Sequence, residues 1–149
     1  STTFMIQNIA KKRIYKYVIL NRNSRPSLQL NRAWFVIKHL DIKKIKKGGK
    51  ILEGTHDFSA YRSSKCSANN PIRRLDSVKA KKINDNIIIT FQSKSFLQQQ
   101  VRSMVGCLKY LAEGKWNIKN FKNVLKLKKR NLCAPPAPPE GLYLECVIY

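Results

Sequence analysis

The pattern of apolar and polar positions changes period along the chain, from short strand-like runs near the start to a helical stripe beyond Val101. Residues 13–20 (RIYKYVIL) are crowded with aromatic and β-branched side chains and predict a strand; a turn cluster follows over 21–26. Residues 32–38 (RAWFVIK) predict a second strand. Asp41 is placed to cap a helix running to about Glu53, with Ile42, Ile45, Ile51 and Leu52 apolar and Gly54 as its stop. Gly48 and Gly49 conflict with that helix, each costing about 1 kcal/mol relative to Ala. Packing must override the cost, or the helix breaks there.

The stretch 54–70 is mostly polar and reads as loop. Runs at 75–82 and 86–94 predict two strands joined at Asn84-Asp85 in a hairpin. Val101, Met104, Val105, Leu108, Leu111 and Ala112 then form one apolar stripe at helical spacing, predicting a helix that ends near Gly114. Asn117 caps a shorter helix that turns Ile118, Phe121, Val124 and Leu125 inward. The proline-rich 134–139 is excluded from helix interior and central strand, and leads into a closing strand over 141–149. Strands and helices in mixed order, with a hairpin, predict an α+β fold: a mostly antiparallel sheet with helices packed on one face.

The length of 149 residues fits a single domain, 1–149, and a 43% hydrophobic content excludes disorder. No apolar run reaches the roughly 20 residues of a membrane span. The net charge of +22 changes the picture more, because a field of that strength favours a polyanionic partner, RNA or DNA. Lysine outnumbers arginine by more than two to one amid many Ile and Asn residues, a bias that an AT-rich genome also produces. Basicity by itself therefore means adhesion to nucleic acid and not recognition.

Few residues offer chemistry. The eight carboxylates are scattered over caps, turns and helix ends, and no phosphate loop, GxSxG or HExxH segment is present. His56-Asp57 reads as a loop hydrogen-bonding pair. Cys66, Cys107, Cys133 and Cys146 have no metal-ligand spacing and read as reduced thiols. Two groups remain. Arg13, Tyr15 and Tyr17 share one strand face, either as a platform for a splayed base or as half-buried core. Arg102 borders the apolar helical stripe with Gly106 one turn on, either as a held cation with a free fork or as an arginine snorkelling from a helix flank.

Taken together these segments resemble the C-terminal half of the tRNA pseudouridine synthase A family. The resemblance is carried by Lys12-Arg13-Ile14-Tyr15-Lys16-Tyr17, Arg32-Ala33-Trp34, Leu52-Glu53-Gly54-Thr55-His56-Asp57-Phe58-Ser59 and Pro71-Ile72-Arg73. Phe96-Leu97 with Val101-Arg102 and Met104-Val105-Gly106, then Ala137-Pro138-Pro139-Glu140-Gly141-Leu142-Tyr143-Leu144, complete it. It implies an isomerase that extrudes uridines of the tRNA anticodon arm, positions 38–40, and reattaches the uracil through carbon. It implies catalytic roles for Tyr15 and Arg102 and substrate contacts from Arg13, Tyr17, Phe96 and Gly106. It further implies a homodimer in the cytoplasm, with no metal and no cofactor.

The nucleophile that the resemblance implies is an aspartate in a Gly-Arg-Thr-Asp-like motif of the N-terminal half, and no such segment occurs in this sequence. The expectation is therefore a chain that supplies the tyrosine and arginine but lacks the N-terminal half, and is inactive alone. Gln7, Gln98-Gln99-Gln100 and Ser103 depart from the family pattern. A non-catalytic basic RNA-binding domain, or a synthase remnant, is the alternative, with a ribosome-associated protein a third reading suggested by charge alone.

Overall fold

The computed structural model describes residues 10–25 and 32–149. Gln7 and Pro26 lie outside them. The chain builds β1 (Lys12–Asn21), β2 (Trp34–Val36), α1 (Ile42–Leu52), β3 (Gly54–Asp57), β4 (Ile72–Ile83), β5 (Asn86–Ser93), α2 (Gln100–Ala112), α3 (Ile118–Leu127) and β6 (Leu142–Ile148). The expected α+β class holds, with a six-stranded, mostly antiparallel sheet.

Strand β1 is the axis of that sheet. Along one side it pairs antiparallel with β5 from Arg13 to Leu20. Its other side is shared end to end: β6 runs antiparallel along Lys12–Tyr17, and β2 runs parallel along Ile19–Asn21. Beyond β5 come β4 and then β3. The predicted hairpin turns at Asn84, whose φ of 53° is the left-handed conformation such a turn needs. Strand β3 is a correction to the loop expected over 54–70, because Gly54–Asp57 adds to the edge of β4. Strand β2 is shorter than predicted, covering only the middle of 32–38.

Alternation along the strands turns Tyr17 and Ile19 of β1, Ile87, Ile89 and Phe91 of β5, and Leu75 and Val78 of β4 into one buried layer. Ile45 and Leu52 of α1, Met104, Val105, Leu108 and Leu111 of α2, and Phe121 and Val124 of α3 close over it. The opposite sheet face is wetter and carries Lys16, Lys79 and Lys81 among Val18, Ile88 and Tyr143. Two strand irregularities fall at the same end of the sheet. Glu145 is the extra residue of β6 opposite the step from Ile14 to Tyr15, and Asp76 is the extra residue of β4 opposite Gln92–Ser93. Such bulges twist a strand locally and re-aim its side chains.

Helix α1 runs unbroken through the two glycines. Asp41 caps it by accepting from the Lys43 backbone N–H at 2.9 Å. Gly48 lies against Leu108, Leu111 and Phe121, and Gly49 against Val78, so the bare backbone is what lets α1 approach both α2 and the sheet. Helix propensity taken alone makes Gly49→Ala stabilising by about 1 kcal/mol. Packing reverses that sign, because the added methyl would stand 2.8 Å from Val78 Cγ1 and 3.1 Å from Val78 Cβ. Urea unfolding of Gly49→Ala is expected to show a net loss of about 1–2 kcal/mol. A more stable variant would refute the packing account.

Candidate active site

The carbonyl end of the proline-rich segment, not a side chain, organises this region. Arg102 lies in the first turn of α2 and is half-buried. Its Nε donates to the Ala137 carbonyl at 2.7 Å, while the Ala137 N–H donates to the Arg102 carbonyl at 2.9 Å. One residue further on, the Pro138 carbonyl accepts from the Tyr17 hydroxyl at 2.6 Å. The segment thus joins α2 to β1 through two consecutive residues. The terminal nitrogens of Arg102 make no hydrogen bond or ion pair among the described residues, which include all eight carboxylates.

Two glycines make the close approach possible. A Cβ on Gly106 would stand 2.1 Å from the Pro135 carbonyl oxygen, and one on Gly141 would stand 2.7 Å from the Tyr17 ring and from the Val18 carbonyl. Gly106 is therefore a correction. It was expected to face substrate, yet it is buried beneath Pro135, and its contribution is to let the segment cross α2.

Arg13, Tyr15 and Tyr17 do share a face, opposite Ser93, Phe91 and Ile89 in an uninterrupted register. Burial deepens along it. Arg13 is at the rim, with Nη1 3.3 Å from the Lys94 carbonyl. Tyr15 is half-buried and meets Phe96 edge to face, with centroids 5.2 Å apart and planes at 88°. Tyr17 is the second correction: it is completely buried, its ring crosses Trp34 at 6.3 Å, and no face is left on which a base can stack. Burial pushes the Tyr17 phenol well above its ordinary pKa, Glu140 adds to that shift, and Arg102 opposes it. Arg102 and the Tyr17 hydroxyl are thus held on consecutive carbonyls of one segment, and Tyr15 stands roughly 7 Å along the strand from Tyr17.

Phe96 is positioned by a tight turn out of β5. The Ser93 hydroxyl lies 2.7 Å from the Arg74 carbonyl and 2.8 Å from the Ser95 carbonyl, with one proton to share between them. Gln100 then receives the Leu97 N–H at 2.9 Å, and Gln99 takes a left-handed φ of 69° before α2 begins. At the rim beyond Tyr15, Arg13 and the neighbouring Lys94 have no carboxylate partner among the described residues. Lys12 and Arg74, which alternation turns to the other sheet face, share Asp76. Ala137 and Pro138 belong to the closing motif of the resemblance, but their role escapes sequence reasoning, since it is played by backbone groups and leaves no side-chain signal.

The region therefore offers a half-buried arginine whose terminal nitrogens have no partner among the described residues, an aromatic pair of Tyr15 and Phe96, and cations at the strand end. The tRNA pseudouridine synthase family model matches residues 50–149, which include Phe96 and Arg102. The chain belongs to the tRNA pseudouridine synthase family. It is 59% identical over its whole length to tRNA pseudouridine synthase A of Pelagibacter ubique, covering 61% of that protein. It is 40% identical over 147 residues to tRNA pseudouridine synthase A of Afipia carboxidovorans, covering 60% of it. The alignment with the Pelagibacter protein carries the similarity through β1 and Tyr15. The chain thus spans about three fifths of the length of these curated relatives.

Gly106→Ala tests the clamp that holds Arg102. A methyl driven against a backbone carbonyl has no flexible neighbour to displace, so the variant should lose about 3 kcal/mol in denaturant unfolding, at the upper end for overpacking. Wild-type stability would show that the proline-rich segment is not seated on α2.

Proposed function

We propose that this chain provides the tyrosine-and-arginine wall of a uridine-isomerising active site acting on the anticodon arm of tRNA. The nucleophilic aspartate is supplied from outside these 149 residues. The observation that carries the reading is Arg102 itself: fixed at Nε by Ala137, half-buried, and with no carboxylate of this chain on its free nitrogens. The family, the greater length of the relatives and the lack of a Gly-Arg-Thr-Asp segment in this sequence all support it.

The chemistry breaks the bond between uracil N1 and the ribose, turns the ring, and joins its C5 to the same ribose carbon; C5 loses a proton and N1 takes one up, so the product is an isomer of the substrate. A guanidinium placed against the aspartate keeps that carboxylate ionised, a preference of about 1–3 pKa units. Its planar fork also fixes the orientation of the carboxylate. In this reading Tyr15, which meets Phe96 edge to face, is the aromatic surface against the extruded uracil and acts as the base for the C5 proton. Arg13 and Lys94 meet the flanking phosphates from the rim, and the exposed Lys43, Lys46, Lys47 and Lys50 of α1 add to the general pull on RNA. The homodimer implied by the resemblance, with both copies contributing to the RNA surface, belongs to the same proposal.

In the full-length enzyme, Arg102→Ala should lower kcat at least about a hundredfold, with tRNA affinity kept within a fewfold. Arg102→Lys should restore little, because a point charge cannot reproduce the fork. Equal losses in binding and turnover would instead make Arg102 a phosphate contact. The 149-residue chain alone should form no pseudouridine above background on unmodified tRNA, and measurable turnover would sink the proposal that the nucleophile lies elsewhere.

A further inference from the structure

Two thiols outside the proposed site face each other. Cys107 is completely buried on α2, one residue past Gly106, and Cys133 is half-buried in the turn immediately before Ala134. Their sulfurs are 3.5 Å apart, although the residues are 26 positions apart in sequence and α3 lies between them. Cys133 Sγ also lies 3.9 Å from the Ser103 carbonyl. The Tyr61 hydroxyl beside them is buried and has no hydrogen-bond partner among the described residues. Cys133 reaches the surface through a pocket of about 290 Å³, where Arg62, Arg130, Ser63 and Gln99 stand around it.

We propose that Cys107 and Cys133 are a reversible dithiol–disulfide site. It is oxidised by exchange with a small disulfide bearing carboxylates, which Arg62 and Arg130 draw into the pocket. Bringing the sulfurs from contact to a bond of about 2.05 Å asks for a movement of roughly 1.5 Å between a helix and a turn. The order of events follows from the surroundings. The contact with Cys107 pulls the Cys133 thiol below the ordinary thiol range against the effect of burial. The same contact, with burial, pushes Cys107 up. Cys133, half-buried but open to the pocket while Cys107 is sealed, is thus the thiolate-forming partner and attacks first.

Its thiolate displaces one thiolate from the small disulfide and leaves a mixed disulfide on Cys133. Cys107 then gives up its proton to solvent and attacks the Cys133 sulfur, expelling the second half of the reagent as a thiolate. Both thiolates take protons from water. Two protein thiols are oxidised to one disulfide, and one small disulfide is reduced to two thiols. The product staples the turn before Ala134 to α2, next to the segment whose Ala137 receives Arg102.

The test incubates the reduced, folded protein with oxidised glutathione, traps remaining thiols by alkylation, and maps the peptides by mass spectrometry. The expected result is a loss of two hydrogens with a Cys107–Cys133 crosslink, Cys66 and Cys146 alkylated, full reversal by dithiothreitol, and a higher melting temperature in the oxidised form. Cys133→Ser should lose both the crosslink and the rise in melting temperature. Cys107→Ala risks the fold because its site is buried; if circular dichroism shows it folded, glutathione should remain attached at Cys133. Three outcomes overturn the proposal: a stable glutathione adduct on wild-type Cys133, crosslinks through Cys66 or Cys146, or thiols left unoxidised. None of these readouts uses tRNA, so failure here leaves the isomerase reading standing, and the reverse also holds.

Discussion

Arg102 and Ala137 hold each other by two hydrogen bonds that run in opposite senses, side chain to carbonyl and N–H to carbonyl. Because both bonds end on one residue, the backbone bond keeps the Ala137 carbonyl within reach of Nε. The proline-rich segment is held in turn by Tyr17, which donates to Pro138, and by the absence of side chains at Gly106 and Gly141. A flexible cation becomes a fixed one because its entropy is lost in folding, before any ligand arrives. The prolines add to this: with φ preset, the segment loses less freedom when it seats than an ordinary loop of that length.

The sequence pattern made the elements legible and hid what fastens them. The period-two run of β1, the hairpin at Asn84 and the capped helices α1 and α3 all follow from local rules, and the structure has each of them. Strand β3 escaped because Gly-Thr-His-Asp has no apolar alternation; it is a strand only because β4 offers an edge. The persistence of α1 through Gly48-Gly49 was likewise undecidable locally, since propensity opposes the helix and Leu108, Phe121 and Val78 decide it from elsewhere in the chain.

The site was half legible for a related reason. Alternation places Arg13, Tyr15 and Tyr17 on one face but does not say how deep each lies, and depth separates a wall from a pillar. Tyr15 ends beside Phe96 with part of its surface open, whereas Tyr17, two residues on, is sealed under Gly141 and Trp34. Spacing puts Gly106 on the arginine's helical face, yet the reason for a glycine there is the Pro135 carbonyl, from a proline-rich stretch far along the chain. Contacts made through backbone atoms leave no residue type to read.

Charge balance supplies the last step. A chain with a net charge of +22 has few carboxylates to place, and the three ion pairs among the described residues use Asp76 and Glu113 on lysines and Arg74, none on Arg102. A half-buried guanidinium gives up part of its hydration, a cost that bulk water no longer repays in full. An acid brought from outside the chain would recover it through a bidentate contact, so the same desolvation that makes Arg102 costly while unpaired makes it selective when paired. Under the proposed function, the strength of that pairing is set as much by Ala137 and Gly106 as by the arginine. A guanidinium free to follow the carboxylate would keep it charged but would not fix its aim at the ribose carbon.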